Sequence, residues 1–193
     1  AGGANRKGLS AFLGAVLGLG ITGLLAHTAS RGLALNGAVR PFAKSLLQTV
    51  SPDLDIAGIF LAGIVVACSG AVMDLAMDVS AAVDELAHRR PDLSARELFR
   101  SGMRVGRAVV GTMTTTLLLA YSGGYVTVLM YFLAQGIPVP IMLNNSVLVS
   151  EILNAVAGSF GLVTVAPFTA AVSALLHQPP RLREFVAARE GAP

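Results

Sequence analysis

The stretch IAGIFLAGIVVACSGAVMDLAMDVSAAVDELAHRR, residues 56–90, decides the fold. Its first 18 residues, 56–73, carry no charge, and about 20 apolar residues in a helix suffice to cross a bilayer core of ~30 Å. Asp74, Asp78, Asp84 and Glu85 then follow with no breaker between them: the next proline is Pro91, and no glycine comes after Gly70 until Gly102. A helix over residues 56–88 is roughly 50 Å long at 1.5 Å per residue, longer than the hydrocarbon needs. Its end projects into water, which wets Asp84, Glu85, His88, Arg89 and Arg90. Asp74 and Asp78 are left at or within the membrane's edge.

Composition agrees. Hydrophobic residues make up 54% of the chain and charged residues 13%, with a mean hydropathy of +0.70, far too little charge to cover a soluble domain of this size. We therefore expect an all-α, polytopic helical membrane protein, because unpaired backbone groups cannot face lipid. The isoelectric point near 9.5 reads as arginine and lysine retained on cytoplasmic loops, and no nucleic-acid partner is expected. A single cysteine, Cys68, excludes a disulfide framework and a multi-cysteine metal site.

Outward from the deciding stretch, residues 9–29 form a first span in which Gly14 and Gly18 make a small-xxx-small pair for close helix packing. Residues 30–55 are mixed, with Pro41 and Pro52 bracketing an amphipathic segment expected to lie in the interface. Residues 93–107 carry Arg96, Arg100, Arg104 and Arg107, and Ser94 followed by Glu97 fits a capping box. With Arg89 and Arg90 this is the densest arginine cluster, placed in the cytoplasm and read as a surface helix on anionic lipid. A third span is expected over 105–122, closed by a tight turn at Ser122, Gly123 and Gly124. Residues 125–150, broken by Pro138 and Pro140, read as a broken or re-entrant segment, and 152–176 as the last span.

Arg6 and Lys7 mark the start as cytoplasmic, as Arg181, Arg183 and Arg189 mark the end, so about four full crossings are expected. Residues 1–177 are then one transmembrane domain and 178–193 a cytoplasmic C-terminal tail. The opening AGGANRKG, without an initiator Met, leads us to expect part of a longer protein.

On a helix Asp78 lies about 40° and Glu85 about 20° from Asp74, with Gly70 and Ala81 on the same stripe and Asp84 about 80° away. Such a face is expected to pack against protein, with Gly70 as a packing position. An ionised Asp at the bilayer centre costs roughly 2.5–3.5 kcal/mol, and two carboxylates one turn apart repel. Asp74 and Asp78 are therefore candidates for a proton relay or ion site; the alternative is a structural pair held by an arginine or by threonine hydroxyls. Thr112, Thr115 and Thr116 are candidates to line the facing helix, and can also bond backbone carbonyls one turn back. Asn144 and Glu151, seven residues apart, share a face if their helix is continuous.

His27, His88 and His177 all lie at expected span ends, where a wet interfacial histidine suffices. No catalytic constellation, metal site or cofactor motif is present, so no enzyme is expected.

GAVMDLAMDVSAAVDEL, GRAVVGTMTTTLLLAYSGG and NNSVLVSEILNAVAGSFGLVTVAPFTA occur in this order. Together they resemble the YibE/F family of bacterial multi-spanning membrane proteins, over most of the chain from Lys7 to about Leu176. The resemblance implies the bacterial inner membrane, with the lipid bilayer as surroundings. It also implies an earlier N-terminal span and an extracytoplasmic domain of the same protein. A more distant similarity is to the last spans of the export factors SecD and SecF, of the resistance–nodulation–division superfamily, in which intramembrane Asp residues couple proton flow to export. That similarity puts Asp74 at the proton-carrying position; the insert 125–150 departs from it. The expected function is a proton- or cation-coupled transporter or export component. The alternative is a scaffold or assembly factor, including a homo-oligomer, using the glycine faces of the first span and the arginine-rich loop.

Overall fold

The computed structural model describes residues 6–33, 37, 43–49 and 54–177. The expected cytoplasmic tail 178–193 lies outside them, as do Pro41, Pro52 and the arginines at 181, 183 and 189. The described residues form six helices: α1 (Arg6–Gly32), α2 (Ala43–Thr49), α3 (Ile56–Arg89), α4 (Ala95–Ala134), α5 (Val139–Leu143) and α6 (Ser146–Leu176). Four of them, α1, α3, α4 and α6, are long and apolar enough to cross a membrane.

Three of the starts are set by local side-chain caps. The Asp55 side chain accepts from the Gly58 amide at 2.9 Å and opens α3. At α4 the capping box is complete: Ser94 accepts from the Glu97 amide, and the Glu97 carboxylate accepts from the Ser94 amide at 2.9 Å. Asn145 accepts from the Val147 amide at 3.0 Å and opens α6. Such caps satisfy amides that have no partner within the helix.

Two expectations are corrected along α4. The expected turn at Ser122 to Gly124 is helix, and α4 runs unbroken for 40 residues, about 60 Å. A glycine inside a helix costs about 1 kcal/mol against alanine, whereas opening the backbone at membrane depth leaves several polar groups unpaired at a few kcal/mol each. Continuity wins, and Ser122 closes its own hydroxyl on the Leu119 carbonyl at 3.0 Å. The arginine-rich segment is not a separate helix. It is the first three turns of α4, continuous with the span.

The break expected over 125–150 is confined to residues 135–145. There Gly136 takes φ 65°, a left-handed conformation that glycine adopts without steric cost. Pro138 starts the five-residue α5, and its carbonyl accepts from the Met142 amide at 3.1 Å.

The bundle is built around α3 and α6, which touch each other and both flanking helices, α1 and α4. Its centre is made of small residues. A Cβ at Gly14 would overlap the Thr169 hydroxyl and come 2.8 Å from Thr169 Cα, and one at Gly18 would come 2.8 Å from Val165 Cβ. Across the bundle Gly102 faces Val83 and Ala170, and Gly106 faces Ala166 and Val79. Ala11, Ala15, Val72, Val79, Leu162 and Val165 fill the space between. Lipid is as apolar as leucine, so helices associate in it through close van der Waals contact, which small residues permit.

The contacts Arg6 to the Leu176 carbonyl, Ser10 to Ser80, and Gly102 to Val83 bring the start of α1, the end of α3, the start of α4 and the end of α6 to one end of the bundle. That end also carries Arg6, Lys7, Arg89, Arg90, Arg96 and Arg100. At it, Ser10 and Ser80 lie 2.6 Å apart, and both are within reach of the Lys7 carbonyl. One hydroxyl serves that carbonyl while the other serves its neighbour, joining α1 to α3.

Gly14→Ala is expected to destabilise the protein by roughly 1–3 kcal/mol through overpacking, while Gly70→Ala, with nothing within 4 Å, leaves it unchanged; thermal unfolding in detergent micelles compares them. The Ser94 backbone amide and hydroxyl hold the Glu97 carboxyl below its ordinary value. Its stabilisation is therefore complete above the ordinary glutamate range and lost as pH falls through the lowered value. Amide exchange in the first turn of α4 is expected to speed up, relative to an uncapped reference helix, as pH drops to about 3, and Glu97→Gln to abolish that change.

Candidate functional site

Along the acid-bearing half of α3 the buried residues are Val72, Leu75, Ala76, Val79, Ser80 and Val83, and Asp74, Asp78 and Glu85 take the remaining face. Asp74, Asp78 and Glu85 are exposed, and Glu85 pairs with Arg89 one turn on. Among the described residues neither Asp74 nor Asp78 has a hydrogen-bond or ion-pair partner. Gly70, expected to pack against protein, has no atom within 4 Å of the place a Cβ would take. The stripe read from the sequence exists as a stripe, but no described helix covers it.

The threonines of α4 serve themselves. Thr112 donates to the Val109 carbonyl at 2.9 Å, and Thr115 and Thr116 donate to those of Gly111 and Thr112 at 3.0 Å. All three are exposed. The helix buries only Leu98, Gly102, Gly106 and Phe132, so most of its surface is open.

Glu151 and Asn144 are not brought together on one helix. Asn144 is exposed and ends α5, whereas Glu151 is buried in the second turn of α6. Continuity was the premise of their pairing, and the chain turns at Asn145. One partner of Glu151 is Asn154, whose amide donates to Oε2 at 3.3 Å and whose own Oδ1 is buried without a hydrogen-bond partner among the described residues. Gly161 sits beside Val72 and Gly158 beside Cys68. Glu151 is therefore about 18 Å from Asp74 along the bundle axis, at 1.5 Å per residue.

One cluster escaped the sequence reading. Asp84, set aside because it leaves the acid stripe, meets His177 at the end of α6, with Nε2 2.8 Å from Oδ1. His88, one turn along α3, places Nδ1 3.5 Å from the same oxygen, and its ring is 6.5 Å from that of His177. The i, i+4 spacing of Asp84 and His88 was a visible signal. The approach of His177, 93 positions away, had none. No group of three or more His, Cys, Asp or Glu among the described residues is arranged to hold a metal ion.

The sequence profile of the YibE/F-like proteins matches residues 1–179, nearly the whole chain. The chain belongs to the YibE/F family. No curated protein and no solved structure matches it. Family membership and the four apolar helices make this a multi-pass helical membrane protein. In it Asp74 and Asp78 face outward from the bundle and Cys68 faces inward.

Cys68 is 0% exposed. In Cys68→Ala protein carrying Asp78→Cys, a maleimide is expected to label position 78 within a time that leaves Cys68 of the parent unlabelled, as mass spectrometry of the intact chain would show.

Proposed function

We propose that this YibE/F protein is a membrane transport or export component coupled to proton or cation movement through Asp74 and Asp78. One observation carries the reading. Two carboxylates stand one turn apart on an exposed face of α3, directly after an 18-residue uncharged run. Neither has a cationic partner among the described residues. An ionised acid in that setting is costly, and taking up a proton or a cation removes the cost. Threonine hydroxyls on α4 and the buried Glu151–Asn154 pair are supporting polar groups, each on its own face. The arginine-rich end is the cytoplasmic one by the positive-inside rule, which puts the two acids in the cytoplasmic half of the membrane.

A second reading is supported by how little of α4 is buried and by the bare stripe on α3. In it the chain is a scaffold whose open faces are covered by further protein, and the acids are packing devices.

Carbodiimide, which prefers a protonated carboxyl in an apolar setting, separates the two when applied to the protein in liposomes and mapped by mass spectrometry. The transport reading expects labelling of Asp74 or Asp78 between about pH 7 and 9, lost on Asn substitution, with insertion and helicity retained. The scaffold reading expects labelling confined to acid pH and Asn variants that lose assembly.

A further inference from the structure

Three contacts inside the chain fix the relative depth of the two helices that carry the unpaired charges, α3 and α4. Gly102 lies against Val83 and Gly106 against Val79. Further along, Leu117 and Cys68 both lie within 3.5 Å of the place a Cβ would take at Gly158. The helices run antiparallel, so counting from these contacts in opposite directions finds residues at one level. Asp78 comes level with Arg107, and Glu85 with Arg100. All four are exposed. Asp78, Arg100 and Arg107 have no hydrogen-bond or ion-pair partner among the described residues, and Glu85 has Arg89 on its own helix.

The seam between the helices keeps the level charges apart. At 100° per residue Arg107 stands about 100° round α4 from Gly106, and Asp78 as far round α3 from Val79. Deeper in the span the same two faces carry small residues. Gly70 is level with Thr115 and Gly63 with Ser122, all exposed. No atom lies within 4 Å of the place a Cβ would take at Gly63 or Gly70. Thr115 and Ser122 turn their hydroxyls onto carbonyls of their own helix. The residues on α4 fall within an arc of about 80°, and so do those on α3. Each helix therefore shows one continuous strip, and the two strips are opposite in charge at matched depth.

A bilayer holds every copy of the chain at one depth and in one orientation, so α4 of a second copy brought beside α3 is already in register. We propose that the exposed face of α3 packs against α4 of a second copy of this chain, pairing Asp78 with Arg107 of the partner subunit and Glu85 with Arg100 of the partner subunit. Gly63 and Gly70 let the helices come close enough for van der Waals contact. Every copy carries both faces, so the association closes as a two-fold pair or a ring. Charge complementarity selects this occupant. Lipid phosphates can serve the arginines but offer nothing to Asp78. The glycines of the first span are spent inside the chain, Gly14 and Gly18 against α6. The contact does not rest on the transport reading: Asp74, level with Gly111, meets no arginine in this register and stays available for coupling.

The test is disulfide cross-linking of the full chain in membrane vesicles. Two copies with different tags are co-expressed in a Cys68→Ala background, one with Gly70→Cys and the other with Thr115→Cys. The mixed-tag dimer is expected to form several-fold faster than one between Gly70→Cys and Phe160→Cys. Phe160 is an exposed α6 residue near the depth of Gly70, since Gly161 lies beside Val72. Asp78→Arg in both copies is expected to bring the link down to that control, and Arg107→Asp added to it to restore the link. A link between positions 70 and 115 no faster than the control, with the parent charges in place, overturns the proposal. So does a link that Asp78→Arg leaves unchanged, or cross-links from position 70 that reach only other proteins. Carbodiimide labelling of Asp74 reports on the transport reading and is independent of all these results.

Discussion

A helix at membrane depth has to bond all of its own backbone, and the architecture follows from that constraint. It carries α4 through Ser122, Gly123 and Gly124 without a break, because the weakness of glycine in a helix is smaller than the cost of an open turn in hydrocarbon. It confines irregular backbone to residues 135–145, where Gly136 and Pro138 end one helix and begin the next. The arginine-rich segment is continuous with the span it leads into.

Satisfying the backbone makes helices but does not hold them together. That task falls to small residues, and α6 is where they converge. Gly14, Gly18, Gly102 and Gly106 each bring a neighbouring helix within van der Waals reach of it. A bundle assembled this way mixes small residues with a few large ones such as Ile64, Leu75 and Leu162 in its centre, and leaves others, such as Leu118, Leu119 and Met130, on the outside. It also leaves whole faces uncovered, and the acid-bearing face of α3 is one of them.

Carboxylates on a single helix consequently meet different fates. Asp84 turns toward α6 and is paired with His177; Asp74 and Asp78 turn away and are not paired among the described residues. Glu151 is buried near the opposite end, against Asn154. The acids thus occupy three separate settings with separate chemistry. A coupling role for Asp74 and Asp78 therefore depends on what stands next to the bare face in the membrane.

The amino-acid order by itself determined the membrane class, the four apolar helices, the cap at Ser94, and the common stripe of Asp74, Asp78 and Glu85. These are local consequences of hydropathy and a 3.6-residue repeat, which a single helix obeys wherever it is placed. Tertiary structure decided the rest. Whether Gly70 packs, whether Asn144 joins Glu151, and which acid meets a histidine depend on the azimuth and depth at which helices far apart in the chain settle against each other. In lipid that is set by the shape fit of small residues such as Gly14 against Thr169, a property of two surfaces together that neither segment carries alone.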